Sequence, residues 1–205
     1  MKLSSISILL ILLFLLANAF TPAPPSNANN LCAIFDEKPG WYRDAKKANE
    51  KWATPIPLLM SIIYQESSFK ADAQPPRNKI LGFIPTFRPS SSLGYTQAKD
   101  ETWAWYKTKT GEPDADRDDF SAAADFVAWY VAQSKSRLGL STHDTFSHYL
   151  AYHEGHKGFA DQSFRDKKWL QKVASKVTKR ANLYQSQLSR CQSSLDNRIS
   201  WWSFF

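Results

Sequence analysis

The stretch of sequence that decides the fold is PLLMSIIYQESSF, residues 57–69. Its opening proline suits the first position of a helix, where the missing N–H is not needed. Leu59, Ile62 and Ile63 recur at the i, i+3, i+4 spacing of a helix face that points into a core. The next position on this face is Glu66. The pattern therefore predicts a core helix that carries a carboxyl where an apolar side chain is expected.

Two effects are expected to raise the pKa of Glu66. Partial burial disfavours the charged form of the carboxyl, and so does the negative end of the helix dipole. A carboxyl that keeps its proton near neutral pH can act as a general acid. The alternative interpretation is that the helix frays at this point and that Glu66 faces water as a structural carboxylate.

The composition is that of one globular domain with a leader. The chain has 205 residues, of which 43% are hydrophobic and 22% charged. Aromatic residues make up 14%, with eight Trp, which fits either a groove that stacks on sugar rings or an aromatic core. The net charge of +7 favours an anionic partner, such as a membrane surface or a cell-wall polymer. No nucleic-acid partner is expected, because the chain has no Cys/His finger and no aromatic RNP motif.

Residues 1–19 are typical of a secretory signal peptide. Lys2 precedes a short apolar run at residues 8–16, and a small-x-small cleavage site ends at Ala19. The apolar run is short for a membrane span, so a retained anchor is the weaker alternative. We therefore expect an exported, periplasmic protein, with peripheral attachment to a membrane left open.

The rest of the chain divides into a tether, one folded domain and a tail. Residues 20–35 form a Pro/Asn-rich N-terminal tether. Residues 36–195 carry successive helical stripes with few strand-like alternations, so the domain is expected to be mainly helical. Within it, residues 71–92 form a long loop with four prolines, which either walls a cleft beside Glu66 or is a mobile surface excursion. Residues 196–205 form an aromatic tail.

The only two cysteines are Cys32 and Cys191, near opposite ends of the mature chain. In an exported protein such a pair indicates a disulfide bond, and two free buried thiols are the alternative. The bond would place the C-terminal helix beside the start of the domain.

The histidines do not form a metal motif. They lack the His-Glu-x-x-His spacing, so we expect polar, partly exposed side chains and neither a metal nor another cofactor. These histidines are His143, His148, His153 and His156. Ser67 and Ser68 lack the Gly-x-Ser-x-Gly setting of an activated serine, and neither cysteine looks reactive.

Acid catalysis by Glu66 is the chemistry that remains. Glycoside cleavage usually needs two carboxylates, and Glu154 or Asp72 could be the second. Neither has so distinctive a context. A single acid is sufficient if a hydroxyl of the substrate itself makes the attack.

Three ordered motifs carry a family resemblance. They are ESSF at 66–69, GYTQA at 94–98 and AYHEG at 151–155. They resemble the Glu-Ser, Gly-Leu-Met-Gln and Ala-Tyr-Asn-Ala-Gly motifs of the lytic transglycosylase domain, over about residues 45–160. The chain looks closest to a subgroup with a Tyr-His-Glu-Gly motif. Tyr95-Thr96 and His153-Glu154 depart from the usual residues.

The resemblance implies a mainly α fold of the α+β lysozyme-like superfamily, with a single helical lobe around a sugar-binding cleft. It implies that Glu66 protonates the glycosidic oxygen between N-acetylmuramic acid and N-acetylglucosamine. The same carboxylate then acts as base on the muramyl C6 hydroxyl, which closes a 1,6-anhydro ring. Tyr152 matches the tyrosine that hydrogen-bonds the catalytic glutamate, and Gln97 matches a glutamine that lines the sugar site.

The resemblance also implies a set of substrate contacts, with Ser92 as a candidate for a serine that usually follows the glutamate. The predicted contacts are Ser67, Ser92, Gly94, Tyr95, Gln97, Tyr152, His153 and Glu154. The resulting hypothesis is a monomeric peptidoglycan lytic transglycosylase that binds glycan strands, with association with a membrane surface or a cell-wall complex left open. Two alternatives remain: a hydrolytic muramidase, and a non-catalytic wall-binding or assembly protein on the same fold.

Overall fold

The computed structural model describes residues 22–80 and 83–202, and this part of the chain is mostly helical. The predicted signal peptide, residues 1–19, lies outside the described residues. The described elements are α1 (Leu31–Glu37), α2 (Pro39–Trp52), α3 (Ile56–Ser67), β1 (Lys79–Ile80), β2 (Ile84–Pro85), α4 (Asp100–Thr110), α5 (Phe120–Leu138), α6 (Thr145–Ala160) and α7 (Lys168–Trp202).

Helix α3 is buried on all its faces over most of its length. Every residue from Ile56 to Ile63 is buried, and the helix packs against both α5 and α7. The one polar residue among them, Ser61, donates a hydrogen bond to the carbonyl of Leu58 at 2.8 Å. The predicted core helix is confirmed. Its apolar surface extends around the whole helix, as in a helix at the centre of a protein.

Helix α5 brings aromatic side chains into the core. The Asp119 carboxylate caps it by accepting a hydrogen bond from the Ala122 N–H at 2.8 Å. Next to this cap, the Phe120 ring stacks on Trp41 of α2 with centroids 3.9 Å apart. Because α5 also packs against α3 and α6, it connects the N-terminal helices to the C-terminal half of the domain.

The residues of α1 belong to the folded domain and not to a tether. Its fully buried side chains are Leu31, Ile34 and Phe35. The Leu31 N–H donates to Oε1 of Gln187 on α7 at 2.8 Å. The predicted tether, residues 20–35, is therefore wrong for α1, because its partners lie at the far end of the sequence and local composition does not reveal them.

The two cysteines form the predicted disulfide bond. It joins Cys32 of α1 to Cys191 of α7, whose Cα atoms are 6.1 Å apart and 159 positions apart in sequence. As predicted, the C-terminal helix thus lies beside the start of the domain.

Helix α7 continues to Trp202, into the predicted aromatic tail, whose residues 203–205 lie outside the described residues. Leu195 is 2% exposed, and the carboxylate of Asp196 accepts a hydrogen bond from the Tyr42 hydroxyl at 2.7 Å. The predicted boundary at residue 196 is therefore wrong, since the helix still packs on α1 and α2 beyond it. Neither α7 nor any other helix in the described part of the chain has the length and apolarity needed to cross a bilayer.

The predicted loop, residues 71–92, contains a short hairpin. Strands β1 and β2 pair antiparallel, with Lys79 opposite Pro85. Next to the strands, the Asn78 N–H donates to the Phe87 carbonyl at 3.1 Å. A two-stranded ribbon of this size is marginal by itself, so its attachment to the domain matters.

Loss of the disulfide bond is expected to lower the stability of the domain. Replacing both Cys32 and Cys191 by serine should reduce the free energy of unfolding by about 2–5 kcal/mol, because the unfolded chain is no longer constrained. Urea denaturation of oxidised wild type and the double variant measures the difference. Coincident midpoints, or two free thiols in the unfolded, non-reduced wild type, would contradict the bond.

Candidate active site

Glu66 lies in the last turn of α3, immediately before a sharp change of chain direction. Ser68 and Phe69 have φ values of 52° and 62°, a conformation that is unusual for any residue except glycine and most unusual for a bulky one. Phe69 is held there because its ring is fully buried against Trp41 and Tyr64, with centroid distances of 5.6 Å to each. The backbone strain after Glu66 is thus supported by aromatic packing.

The carboxyl of Glu66 is buried and poorly compensated. Its Oε1 atom is buried and has no hydrogen-bond partner among the described residues. Burial raises the pKa of Glu66 to about 7, and an interaction with the Tyr149 hydroxyl lowers it in part. The raised pKa that the helix pattern predicted is confirmed, and the carboxyl retains its proton to near-neutral pH.

A cavity of about 540 Å³ opens at Glu66. Its walls come from the end of α3, the segment after the hairpin, and helices α4, α5 and α6. The lining residues are Glu66, Ser92, Gln97, Ala98, Lys99, Thr102, Phe126, Tyr130, Tyr152, His153, Glu154 and Gly155. Each of the three sequence motifs therefore contributes residues to one cavity, although the residues within a motif have different structural roles.

The second motif is shaped by a tight turn. Gly94 has a φ of 73°, and a Cβ atom added there would lie 2.1 Å from the Arg117 carbonyl oxygen. Only glycine fits at this position. Gln97 has a φ of 51°, and its side-chain amide donates to the carbonyls of Ala73 and Gly94 at 2.8 and 2.9 Å. Gln97 thus lines the cavity and also holds the turn together.

The hydroxyl that lowers the pKa of Glu66 is that of Tyr149, and not that of Tyr152. The Tyr152 hydroxyl instead donates to the backbone carbonyl of Thr96 at 2.8 Å. The predicted role of Tyr152 is therefore corrected: it ties the third motif to the second, and its ring lines the cavity. Sequence reasoning missed Tyr149. It lies one helical turn before Tyr152 on the same face of α6, and this spacing was the available signal.

Glu154 is held as an ion-paired carboxylate. Burial alone would raise its pKa, but hydrogen bonds from Lys167, Ser163 and His153 lower it to about 2. The Lys167 ammonium lies 2.9 and 2.7 Å from its two oxygens. The other candidate for a second carboxylate, Asp72, is exposed and does not line the cavity.

Helix α6 breaks at the last residue of the third motif. Gly155 has φ 76° and ψ 161°, a combination that is essentially restricted to glycine. The helical conformation ends there, and a short second helix follows directly. The break places His153 and Glu154 at the cavity rim, where the His153 ring also meets Trp169 edge to face at 5.3 Å.

Several predicted contacts lie away from the cavity. The Ser67 hydroxyl bonds to the Ile63 carbonyl at 3.1 Å inside its own helix, and Tyr95 is 1% exposed in the core. Gly94 acts through backbone conformation. These three residues are corrected from substrate contacts to structural positions, whereas Ser92 and His153 do line the cavity.

The histidines are more varied than predicted. His148 is 1% exposed, and its Nε2 lies 3.1 Å from the Ser141 carbonyl oxygen, so the expectation of partial exposure is wrong for it. His156 lies 3.0 Å from the Ser134 hydroxyl and stacks on Tyr130. In the described part of the chain, no group of His, Cys, Asp and Glu side chains is arranged to hold a metal ion.

The different roles of the two tyrosines can be separated by substitution. Tyr149→Phe removes the hydroxyl that lowers the pKa of Glu66, so we expect that pKa to rise further above 7. Tyr152→Phe is the matched control. It should leave the pKa of Glu66 in place and cost about 1 kcal/mol of stability through the lost bond to Thr96. Carbon-13 NMR titration of the Glu66 carboxyl measures both, and equal shifts in the two variants would contradict the assignment.

Burial of Glu66 should also make stability depend on pH. The folded protein keeps this proton up to about pH 7, whereas an unperturbed glutamate loses it near 4.5. The folded state therefore binds more protons between these values, and its stability falls as the pH rises through them. As the pH rises across this window, the free energy of unfolding of Glu66→Gln should increase relative to that of wild type by up to about 3 kcal/mol. Urea midpoints at pH 4 and pH 8 test this, and a constant difference would count against the raised pKa.

Comparison with known proteins adds one finding. The sequence model of the transglycosylase SLT domain family matches residues 7–191, which is nearly the whole chain. No curated protein gave a significant match. The matched region includes Glu66 and every residue that lines the cavity.

Proposed function

Because the chain belongs to the transglycosylase SLT domain family, we propose that it is a peptidoglycan lytic transglycosylase with Glu66 as its acid and base. The family acts on cell-wall peptidoglycan. The proposal narrows this to the bond between N-acetylmuramic acid and N-acetylglucosamine. The observation that carries it is the buried Glu66 carboxyl, with its pKa of about 7, at the cavity.

The proposed reaction uses one carboxyl twice. Protonated Glu66 first gives its proton to the glycosidic oxygen, and the bond from that oxygen to the muramyl C1 breaks. The resulting carboxylate then accepts the proton of the muramyl C6 hydroxyl, whose oxygen bonds to C1. The product ends in a 1,6-anhydro ring, and Glu66 is protonated again. Neither water nor a second carboxylate takes part.

The state of the other carboxylate supports this route. Among the described residues that line the cavity, only Glu154 offers a second carboxyl, and it is bound to Lys167, Ser163 and His153. A base that activates water must accept a proton, and a carboxylate with a pKa of about 2 is a weak acceptor. The hydrolytic alternative has no better candidate in Asp72, which lies outside the lining.

The rest of the cavity suits a sugar chain. The ring of Tyr152 supplies apolar surface for a pyranose face, and the buried rings of Phe126 and Tyr130 pack behind it. Ser92 and Gln97 supply polar groups. Lys99 adds a cation that could meet the carboxylates of the lactyl group or stem peptide. We propose Ser92, Gln97, Lys99 and Tyr152 as substrate contacts. The proposed fold is that of the lysozyme-like superfamily, and the proposed subgroup of the transglycosylase family is the one with a Tyr-His-Glu-Gly motif.

The proposed location follows from the substrate. Peptidoglycan lies outside the cytoplasm, and the predicted signal peptide at residues 1–19 would direct the chain there. Oxidising conditions in that compartment are compatible with the bond between Cys32 and Cys191.

Mass analysis of digested peptidoglycan tests the reaction. Wild type should release muropeptides with 1,6-anhydro ends, and Glu66→Gln should be slower by about 10²–10⁴-fold, because the acid and base are removed together. Asp72→Asn is the matched control, since it changes an exposed carboxylate away from the cavity, and it should retain activity.

Three results would contradict the proposal. Reducing ends would show hydrolysis and hence a muramidase. Equal digestion by wild type and Glu66→Gln would remove Glu66 from the mechanism. Binding to peptidoglycan without digestion by wild type would indicate a non-catalytic wall-binding protein.

A further inference from the structure

The hairpin between the first two motifs exposes an unusual amount of apolar surface. Ile80, Phe83 and Phe87 are 58%, 71% and 73% exposed. Elsewhere in the described part of the chain, the exposed large apolar side chains are Trp169 and Leu183, which lie apart from each other in sequence. Clustered exposed apolar side chains mark a surface that is covered in use.

Cations flank these apolar side chains in the sequence. Arg77 and Lys79 are exposed and Arg88 is partly exposed. The sequence has no Asp or Glu between Asp72 and Asp100, so nothing within the segment neutralises them. In the described part of the chain, none of the three cations forms an ion pair with a carboxylate.

The base of the hairpin is fastened by its own polar groups. The Arg77 guanidinium donates to the Thr86 carbonyl at 3.2 Å, and the Thr86 N–H donates to the Asn78 carbonyl at 2.7 Å. The Arg88 guanidinium donates to the Pro75 carbonyl. These bonds keep the strands paired while the apolar side chains remain outside the core, so the hairpin presents them to a partner.

We propose that this hairpin docks the protein on the surface of an anionic lipid bilayer. The residues that contact the bilayer are Arg77, Lys79, Ile80, Phe83, Phe87 and Arg88. Ile80, Phe83 and Phe87 would enter the boundary between headgroups and acyl chains, and the cations would meet lipid phosphates. An anionic wall polymer satisfies the charges but offers no hydrocarbon for the apolar side chains. A bilayer with anionic headgroups supplies both.

The docking surface has a consequence for the cavity. The chain passes from Arg88 directly into the segment that carries Ser92, Gln97 and Lys99, three residues of the cavity wall. Hairpin docking would therefore hold the cavity next to the membrane surface. This inference goes beyond the proposed reaction and does not depend on it, since Glu66 takes no part in docking.

Co-sedimentation with lipid vesicles tests the inference, using protein that begins at residue 20 so that the predicted signal peptide does not contribute. Wild type and Glu66→Gln should bind vesicles that contain phosphatidylglycerol and bind much less to phosphatidylcholine alone. The double variant Phe83→Ser/Phe87→Ser should bind at least about tenfold more weakly. Lys79→Gln should bind about fivefold more weakly at low salt.

Matched controls replace residues of the same kind elsewhere. Leu183→Ser removes an exposed apolar side chain from α7, and Lys109→Gln removes an exposed cation from α4. Both should bind vesicles as wild type does. Melting curves confirm that each variant is folded, which is expected because the replaced side chains are exposed.

Several outcomes would overturn the inference. These are unchanged vesicle binding by the folded hairpin variants, equal binding of wild type to neutral vesicles, and no vesicle binding at all. Loss of binding to purified sacculi in the hairpin variants, with vesicle binding unchanged, would assign the surface to the wall polymer. If the protein binds no vesicles but binds a purified cell-envelope protein through the hairpin, the docking surface belongs to a protein partner.

Discussion

The burial of the Glu66 carboxyl without full compensation is the constraint on which the rest of the structure depends. An ionised carboxylate is costly in such a place, so the group remains protonated to about pH 7. Helix α3 makes this possible because it is buried on all its faces between Ile56 and Ile63, and it carries the acid at its end. The aromatic packing of Phe69 then holds the strained turn that follows.

The second and third motifs are linked to each other. Tyr152 of the third motif bonds to Thr96 of the second, and the Gln97 amide bonds within the turn of the second motif. Arg117 joins this unit from outside, since its guanidinium donates to the Ala98 carbonyl at 2.9 Å and its own carbonyl accepts the Tyr95 N–H. Some motif residues, such as Gly94, Tyr95 and Thr96, thus support the cavity wall without lining the cavity.

Local patterns in the sequence predicted the local features of the structure. The apolar spacing in α3 placed Glu66 at the end of a core helix. The disulfide bond was predictable because only two cysteines exist. Features that depend on distant partners were not predictable. The α1 segment looked like a tether because Gln187 bonds it from the other end of the chain. The rotation of α6 about its own axis decides whether the Tyr149 or the Tyr152 hydroxyl approaches Glu66.

The pairing of α1 with α7 has a consequence for the order in which the domain can form. Helix α7 is one of the helices that cover α3, and it is the last described element of the chain. A nascent or partly translocated chain therefore contains the apolar sequence of α3 but lacks helix α7, which packs against it. Contacts between residues so far apart in sequence close late, because a long loop must first be ordered. Final closure of the core, and of the acid site within it, thus requires the complete chain.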